Sequence, residues 1–315
     1  DRRLSPIPFA HVGTMTRSWD EIGKVITTVI TPTPWDAGEN LRLIERERVT
    51  VGQGVPTQWE LMLRHPDIDT TDVSSLRLAA TGAGAVSADL LRRMRERLRV
   101  PVVNRYASTE SGGVIAGTRP DDPDDVVANT VGRPSDGVEV RVVDEDARAL
   151  ATGEVGRVQA RSAAVMRGYW RDPEATAQVL DPDGWVTIGD LGRLDGAGNL
   201  TLVGRVGDSY VRGGYNIYPA EVEGVLSDHP HVSEVAVVGV PDPVLGQIGV
   251  AFVVAVDAVN EDDLKAWVRA RLADYKAPDR IVVVDQMPMT SVGKIDKRAL
   301  LDAVTSRPGR RPALG

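Results

Sequence analysis

Four short segments of the chain carry residue types that could bind a nucleotide and activate one of its phosphates. The first is PMTSVGKIDKR at residues 288–298, where Lys294 follows a glycine shortly after a proline and a threonine. An ammonium group on a long stem can neutralise phosphate and carboxylate oxygens at the same time. A lysine in such a setting is more often a solvated surface residue, so the segment alone is a weak signal.

The second segment is GRVGDSYVRGGYNIYPAEVE at residues 204–223, which combines an arginine with paired glycines. Arg205 could donate hydrogen bonds to a ribose or a phosphate. Gly213 and Gly214 allow positive φ angles or the close approach of a ligand. The alternative interpretation is a β-hairpin that needs two glycines, with Arg205 on the surface.

Two further segments supply an aromatic ring and oxygen ligands. Asp190 in DGWVTIGDLG could accept hydrogen bonds from both hydroxyls of a ribose, although an aspartate beside a glycine is usually a turn residue. In NRYASTESGG the ring of Tyr106 could stack on a purine, and Glu110 offers a hard oxygen that suits Mg²⁺. Thr109 offers a hydroxyl, but it could instead cap a helix.

The elements up to about residue 130 predict an α/β layer that positions the Tyr106 segment. An apolar run at 76–80 ends in the small-residue turn 81–84. A helix is predicted from Ser87 to about Arg97, with Ser87 as its N-cap, and residues 100–104 form the next strand candidate. Strand, turn, helix and strand at this spacing are typical of an α/β fold.

The second half of the chain changes its pattern twice. Short strand-like runs separated by Gly/Asp turns predict an antiparallel β-rich unit; they lie at 138–143, 155–160, 186–188 and 200–203. After Arg205 a helix opened by Pro219, two strands, a helix capped by Asn260 and a last strand predict an α+β module. We expect residues 306–315, which carry three arginines and two prolines, to be disordered.

Taken together, the order and spacing of these segments resemble the ANL superfamily of adenylate-forming enzymes, over about residues 5–302. This superfamily groups acyl-CoA synthetases, peptide-synthetase adenylation domains and luciferases. RYASTE resembles its Tyr-Gly-x-Thr-Glu motif, TGAGAVS its Gly-Gly-Ala-Pro turn, and PFAHVG a Pro-x-x-His segment near the acyl pocket. The stretch TGEVGRVQARSAAVMRGYW resembles a segment that follows them.

The resemblance implies a role for each matched residue. It implies that Tyr106 stacks on adenine, that Thr109 meets the phosphate and that Glu110 supports Mg²⁺. The family's ribose contacts fall on Asp190 and Arg205. The remaining matched positions are Lys294 for adenylation, Gly82, Ala83 and Gly84 at the wall of the adenine and acyl sites, His11 in the acyl pocket, and Gly213, Gly214 and Tyr215 for CoA.

The same resemblance implies a two-domain organisation. Residues 1–204 would be the remainder of a large N-terminal domain, α/β to about 130 and β-rich from about 130 to 204. Residues 205–305 would be a small, mobile α+β lid, followed by the tail 306–315. The lid would rotate about a hinge at Gly207, where the family has Asp or Lys, and glycine can make the φ/ψ change.

The sequence also departs from the family pattern. The phosphate loop, rich in Ser, Thr and Gly, should precede Ile7 and is not present, so we expect the chain to be part of a longer one. Ala107 replaces the glycine of the Tyr-Gly-x-Thr-Glu motif. Ile188 replaces a threonine, while the aspartate that follows it in the family, Asp190, is retained.

The implied reaction joins a carboxylic acid to AMP from MgATP, releases pyrophosphate and then passes the acyl group to a thiol. GGYNIYPAEVE looks more like CoA ligases than peptide-synthetase domains, which tend to carry Arg-Gly-x-Arg-Ile-Glu there, so we predict CoA as the acceptor. A carrier protein is the alternative acceptor. A third interpretation, from a different class, is a non-catalytic nucleotide- or acyl-binding fragment. Small residues at 82–84 leave room for a bulky or long acid.

Composition narrows the function classes. The net charge of −8 argues against electrostatic binding to nucleic acid or to an anionic membrane. A chain without cysteine has no disulfide, thiolate nucleophile or cysteine zinc site. Its four histidines are too scattered to match the spacing of a metal-binding motif. No run approaches the roughly twenty apolar residues that span a bilayer. We therefore expect a cytoplasmic protein.

Replacing Lys294 by alanine should lower the rate of adenylation by about 10²–10³-fold, because it removes the charge that offsets the developing negative charge on the phosphate. Thioester formation from a supplied acyl-adenylate should be spared. Pyrophosphate release and thioester formation are measured separately in the same preparation. Unchanged pyrophosphate release in this variant would show that Lys294 does not have the assigned role.

Overall fold

A computed structural model describes residues 1–82, 86–290 and 295–305. The predicted site residues Ala83, Gly84 and Lys294, and the tail 306–315, lie outside the described residues. The chain forms two compact units, Asp1–Leu202 and Val203–Gly315, called the first and the second unit below. None of the helices in the described ranges combines the length and the apolar composition of a membrane-spanning segment.

The first unit contains a seven-stranded sheet in the order β2-β1-β3-β4-β5-β6-β7. Its strands are β1 (Arg2–Ser5), β2 (Thr27–Ile30), β3 (Val51–Gln53), β4 (Leu78–Gly82), β5 (Val102–Ser108), β6 (Gly113–Gly117) and β7 (Arg133–Pro134). Neighbouring strands from β2 to β5 pair in parallel, and β6 pairs antiparallel with β5 and β7. The predicted α/β layer is confirmed.

Six helices accompany this sheet along the chain: α1 (Val12–Met15), α2 (Arg17–Lys24), α3 (Ala37–Arg46), α4 (Pro56–Arg64), α5 (Ala88–Leu98) and α6 (Asp124–Asn129). Helix α5 begins where the sequence predicts, because the Ser87 side chain accepts a hydrogen bond from the N–H of Leu90. Leu90, Leu91 and Met94 lie on its buried face, packed with Trp59 of α4 in one apolar core. Burial of this face holds the helix on the sheet.

A second sheet of the first unit has the order β11-β10-β9-β8. It consists of β8 (Glu139–Val143), β9 (Gly156–Arg161), β10 (Val186–Leu194) and β11 (Leu200–Arg205), with α7 (Pro173–Val179) between β9 and β10. Strand β9 pairs antiparallel with β8 and β10, as the alternating pattern predicts. Asp195 closes the turn after β10 by accepting hydrogen bonds from the N–H groups of Ala197 and Asn199, both 2.8 Å long.

The second unit is a five-stranded sheet with helices on both faces. Its elements are β12 (Tyr210–Arg212), β13 (Tyr215–Ile217), α8 (Pro219–Ser227), β14 (Val232–Asp242), β15 (Gly246–Ala255), α9 (Glu261–Arg269), β16 (Arg280–Val283) and α10 (Lys297–Thr305). Leu226 of α8 and Leu264 of α9 are buried in one core, and Leu300 of α10 is buried in another with Phe252. The predicted α+β module is confirmed.

The paired glycines of the second unit form a two-residue turn between β12 and β13. Gly213 has φ +56° and Gly214 has φ +88°, and Arg212 pairs with Tyr215 across the turn. Positive φ at both central residues is the geometry of a type I′ hairpin. The interpretation of this segment as a hairpin is confirmed, and the positive φ angles at its turn explain why glycine suits both positions.

Replacing Gly214 by valine should lower the free energy of unfolding by about 1–2 kcal/mol, because a β-branched residue is disfavoured at positive φ. Gly213→Asn is the matched control and should change it by less than about 0.5 kcal/mol, since asparagine is favoured at the first position of this turn. Urea denaturation of both variants measures the difference. Equal losses in the two variants would contradict the turn geometry.

Candidate functional site

The turn between β5 and β6 carries Thr109 and Glu110. The Ser111 N–H donates to Oγ of Ser108 over 3.0 Å, and the Ser111 hydroxyl donates to the carbonyl of Ser108 over 3.0 Å. These bonds fold the chain back into β6 directly after the turn. The interpretation of Thr109 as a helix cap is therefore wrong, because a strand follows it. Thr109 is exposed, and Glu110 is partly buried.

Tyr106 and Asp190 meet where the two sheets of the first unit pack together. Tyr106 lies within β5 and Asp190 within β10, and they are 7% and 8% exposed. The Tyr106 hydroxyl donates a hydrogen bond of 2.6 Å to Oδ2 of Asp190. The sequence pattern predicts that Tyr106 follows its strand, whereas β5 continues to Ser108. The two residues expected to contact a purine and a ribose are thus neighbours.

Asp190 is not a turn residue, because β10 continues to Leu194. The register between β10 and β9 shifts between Thr187 and Leu191, and Gly189 has φ +78°. An irregularity of this kind bends a strand and redirects its side chains. The glycine beside Asp190 therefore marks a bulge within a strand, and the sequence pattern shows the glycine but not the strand around it.

Glu110 has a partner that sequence reasoning missed. The hydroxyl of Tyr169 donates to Oε1 of Glu110 over 3.1 Å, and the N–H of Met166 donates to the Glu110 carbonyl over 2.9 Å. Burial and the nearby Glu110 carboxylate raise the pKa of Tyr169, so its phenol remains protonated at neutral pH. Tyr169 lies in the RGYW stretch noted in the sequence, but no spacing rule joins it to a residue so far upstream.

Gly82 lies where the backbones of two neighbouring strands approach each other closely. A Cβ at Gly82, the last residue of β4, would overlap the carbonyl of Arg105 on the neighbouring strand. Only glycine fits so close an approach without a shift of the backbone.

His11 precedes α1, and its Nδ1 accepts a hydrogen bond of 3.0 Å from the N–H of Gly13.

A concentration of positive charge lies on one face of the seven-stranded sheet. Arg17 of α2 donates to Oε1 of Gln53 on β3, and Arg105 of β5 lies on the same sheet face by its register. Burial, together with the neighbouring charges of Arg3 and Arg105, lowers the pKa of Arg17 to about 10. Burial also lowers the pKa of Arg105. Both remain protonated at neutral pH, and the nearby carboxylates of Asp20 and Glu21 offset part of the positive charge at this face.

The described site residues that the sequence predicts between 203 and 290 lie in or directly beside two turns. Arg205 is the exposed last residue of β11, and its carbonyl accepts a hydrogen bond of 3.1 Å from the N–H of Asp208. Gly207 between them has φ +89°. Tyr215, directly after the glycine turn, is 56% exposed and stacks on Tyr275 with ring centroids 4.4 Å apart.

Glu110 offers a carboxylate that could serve as one ligand of a magnesium ion. Among the described residues, no group of three or more His, Asp or Glu side chains could hold a metal by itself. Mg²⁺ is commonly held by one or two carboxylates together with substrate phosphates, so a single carboxylate is sufficient for a metal that arrives with a nucleotide. Tyr169 occupies Oε1 of Glu110 and leaves Oε2 without a hydrogen-bond partner in the described part of the chain.

Comparison with known protein families identifies the chain. Residues 1–170, more than half of it, match the family model described as AMP-binding enzyme. The chain belongs to the AMP-binding enzyme family. Residues 221–294 match the model described as AMP-binding enzyme C-terminal domain. The resemblance to adenylate-forming enzymes is confirmed.

Curated relatives of this AMP-binding chain are named as CoA ligases. One is 3-[(3aS,4S,7aS)-7a-methyl-1,5-dioxo-octahydro-1H-inden-4-yl]propanoyl:CoA ligase of Mycobacterium tuberculosis, 42% identical over 276 residues, which are 87% of this chain and 52% of the relative. Another is a feruloyl-CoA synthase of an Amycolatopsis species, 41% identical over 273 residues, 86% of this chain and 55% of the relative. The chain spans about half the length of these relatives.

A solved structure supports the fold of the AMP-binding chain. The amide bond synthetase from Marinactinospora thermotolerans superposes with a TM-score of 0.85 at 36% identity, over 95% of this chain and 61% of that one. The predicted combination of an α/β layer, a β-rich unit and an α+β module is confirmed by this likeness and by the three sheets.

Replacing Tyr106 by phenylalanine should lower the free energy of unfolding by about 1.5–3 kcal/mol, because it removes a buried hydrogen bond to a carboxylate. Tyr215→Phe is the control, since its hydroxyl is on an exposed residue, and should have little effect. Urea denaturation compares the two variants. A Tyr106 variant as stable as the Tyr215 variant would show that the bond to Asp190 contributes nothing.

Proposed function

We propose that the protein that carries this chain is an ATP-dependent carboxylic acid:CoA ligase that works through an acyl-adenylate. The observation that carries the proposal is the hydrogen bond between Tyr106 and Asp190. It brings an aromatic ring and a ribose acceptor together on β5 and β10, next to the turn that carries Glu110. An aromatic face, a short carboxylate and a metal-binding carboxylate are the groups that a magnesium nucleotide needs.

In the first step, an oxygen of the substrate carboxylate attacks the α-phosphorus of ATP, and pyrophosphate leaves. Tyr106 stacks on the adenine, Asp190 and Arg205 hold the ribose, and Thr109 contacts the phosphate. Bound Mg²⁺ supplies positive charge to the phosphate oxygens. Lys294 donates to the same oxygens, so catalysis consists of positioning and electrostatic stabilisation without a protein nucleophile.

In the second step, the thiol of CoA loses its proton to water and its sulfur forms a bond to the acyl carbon, while AMP leaves with the electrons of the broken carbon–oxygen bond. We infer that residues 205–305 form a lid whose rotation about Gly207 withdraws Lys294 and presents the glycine turn at 213–214, with Tyr215, to the thiol. The positive φ of Gly207 is consistent with a hinge, because glycine crosses between backbone regions at little cost. His11 and the turn at 82–84 line the acyl pocket.

The relatives favour CoA as the acceptor, and their names favour an acid that carries a ring. Two relatives are named for acyl groups with an indene-derived or an aromatic ring. The positive charge at Arg17 and Arg105 favours the approach of an anionic acid. We therefore propose aryl or polycyclic carboxylic acids as the substrate class.

Two other acceptors have support of their own. The likeness to an amide bond synthetase favours an amine as a second candidate. A carrier protein remains the alternative from the sequence, and it would use the same adenylation step. All three acceptors attack the same acyl carbon, so the adenylation chemistry does not distinguish them.

Mass spectrometry of the products separates the acceptors. The full-length gene product is incubated with ATP, Mg²⁺ and a panel of aryl, polycyclic and fatty acids, with CoA, a phosphopantetheinyl carrier protein or a simple amine in parallel. We expect AMP and an acyl-CoA from a ring-bearing acid. An acylated carrier or an amide as the main product would replace CoA as the acceptor. Nucleotide binding without AMP formation from any acid would favour the non-catalytic interpretation.

A further inference from the structure

The backbone of Tyr169 is fixed by the beginning of α7. Asp172 caps this helix, and its carboxylate accepts a hydrogen bond of 2.9 Å from the N–H of Ala175. The Thr176 hydroxyl accepts a bond of 2.9 Å from the Tyr169 N–H and donates one of 2.7 Å to the Asp172 carbonyl. Tyr169 therefore projects from a segment that is tied to a capped helix.

The side chain of Tyr169 reaches a turn far from it in sequence. Its hydroxyl donates to Oε1 of Glu110, while the N–H of Met166 donates to the Glu110 carbonyl. The two segments also touch at Gly112, where an added Cβ would overlap the carbonyl of Ala164. Glu110 is thus held through both its backbone and its carboxylate by the segment 164–169.

This arrangement leaves one carboxylate oxygen for another ligand. A carboxylate has two oxygens and about four acceptor positions, and the phenol of Tyr169 uses one of them on Oε1. A neutral phenol donates without removing the negative charge that attracts a cation. Hydrogen-bond partners of metal-binding carboxylates orient them, and loss of such a partner typically costs 10–100-fold in metal affinity or activity.

We propose that Tyr169 is a positioning residue that holds the Glu110 carboxylate with Oε2 turned toward the magnesium ion of the bound nucleotide. The inference rests on the proposed function, since it needs Glu110 to meet Mg²⁺ there. Tyr169 acts through Glu110 and does not touch the reacting atoms.

The test measures how much Mg²⁺ strengthens nucleotide binding. Isothermal titration of the full-length gene product gives Kd for ATP with Mg²⁺ and with EDTA, for the wild type, Tyr169→Phe, Glu110→Gln and the double variant. The advantage from Mg²⁺ is the ratio of Kd measured in EDTA to Kd measured with Mg²⁺. Tyr169→Phe should reduce this ratio by about tenfold and leave Kd in EDTA unchanged. In the Glu110→Gln background, Tyr169→Phe should have no further effect on the ratio of Kd in EDTA to Kd with Mg²⁺.

Trp170→Phe is the matched control. Trp170 is the next residue in the chain and is 86% exposed. Its ring lies beneath the guanidinium of Arg171. Its replacement should therefore not alter the advantage from Mg²⁺. A loss in Tyr169→Phe that is equal with and without Mg²⁺, or additive with Glu110→Gln, would indicate a purely structural role and overturn the inference.

The failure of this inference is distinguishable from that of the proposed function. If the wild type adenylates an acid and Tyr169→Phe keeps the full advantage from Mg²⁺, the positioning role is wrong and the ligase function stands. If the wild type shows no adenylation with any acid and no advantage from Mg²⁺, both are wrong.

Discussion

The site of the first unit depends on the buried hydrogen bond between Tyr106 and Asp190. It joins β5 of the seven-stranded sheet to β10 of the four-stranded sheet, and apolar residues of both sheets pack around it in one core. A hydrogen bond to a carboxylate is stronger than one between neutral groups, and it is stronger again where water is excluded. Through this bond, two residues far apart in sequence present an aromatic ring and a carboxylate side by side.

The other candidate groups of the first unit are positioned by elements that adjoin the hydrogen bond between Tyr106 and Asp190. The turn that carries Thr109 and Glu110 leaves β5 directly after Tyr106, and the segment 164–169 between β9 and α7 packs against that turn. An adenylating site needs its nucleotide contacts held before the substrate arrives, because positioning supplies much of the rate. Buried strands and capped helices provide this rigidity, whereas the turn between β5 and β6 carries the groups that are proposed to meet the ligand.

Local signals in the sequence were sufficient for much of the fold. The Ser87 cap predicts the start of α5, alternation predicts the antiparallel sheet, and the glycine pair predicts the hairpin at 213–214. These features depend on neighbouring residues, so the sequence carries them directly. The motif match also selected Tyr106 and Asp190, although it placed neither of them correctly in its strand.

Features that depend on distant contacts could not be predicted in the same way. The glycine beside Asp190 indicated a turn, while the structure has a bulge, because pairing with β9 overrides the local preference. The bond from Tyr169 to Glu110 joins two loops that the fold alone brings together, and the positive face at Arg17 and Arg105 arises from sheet register.

The most direct test of the account is acid-dependent exchange of labelled pyrophosphate into ATP by the full-length gene product. Exchange reports formation of the acyl-adenylate alone and does not depend on the acceptor. Exchange should require a carboxylic acid and Mg²⁺, and it should fall sharply when Asp190 is replaced by asparagine. No exchange with a broad panel of acids, or exchange that is the same without any acid, would contradict it.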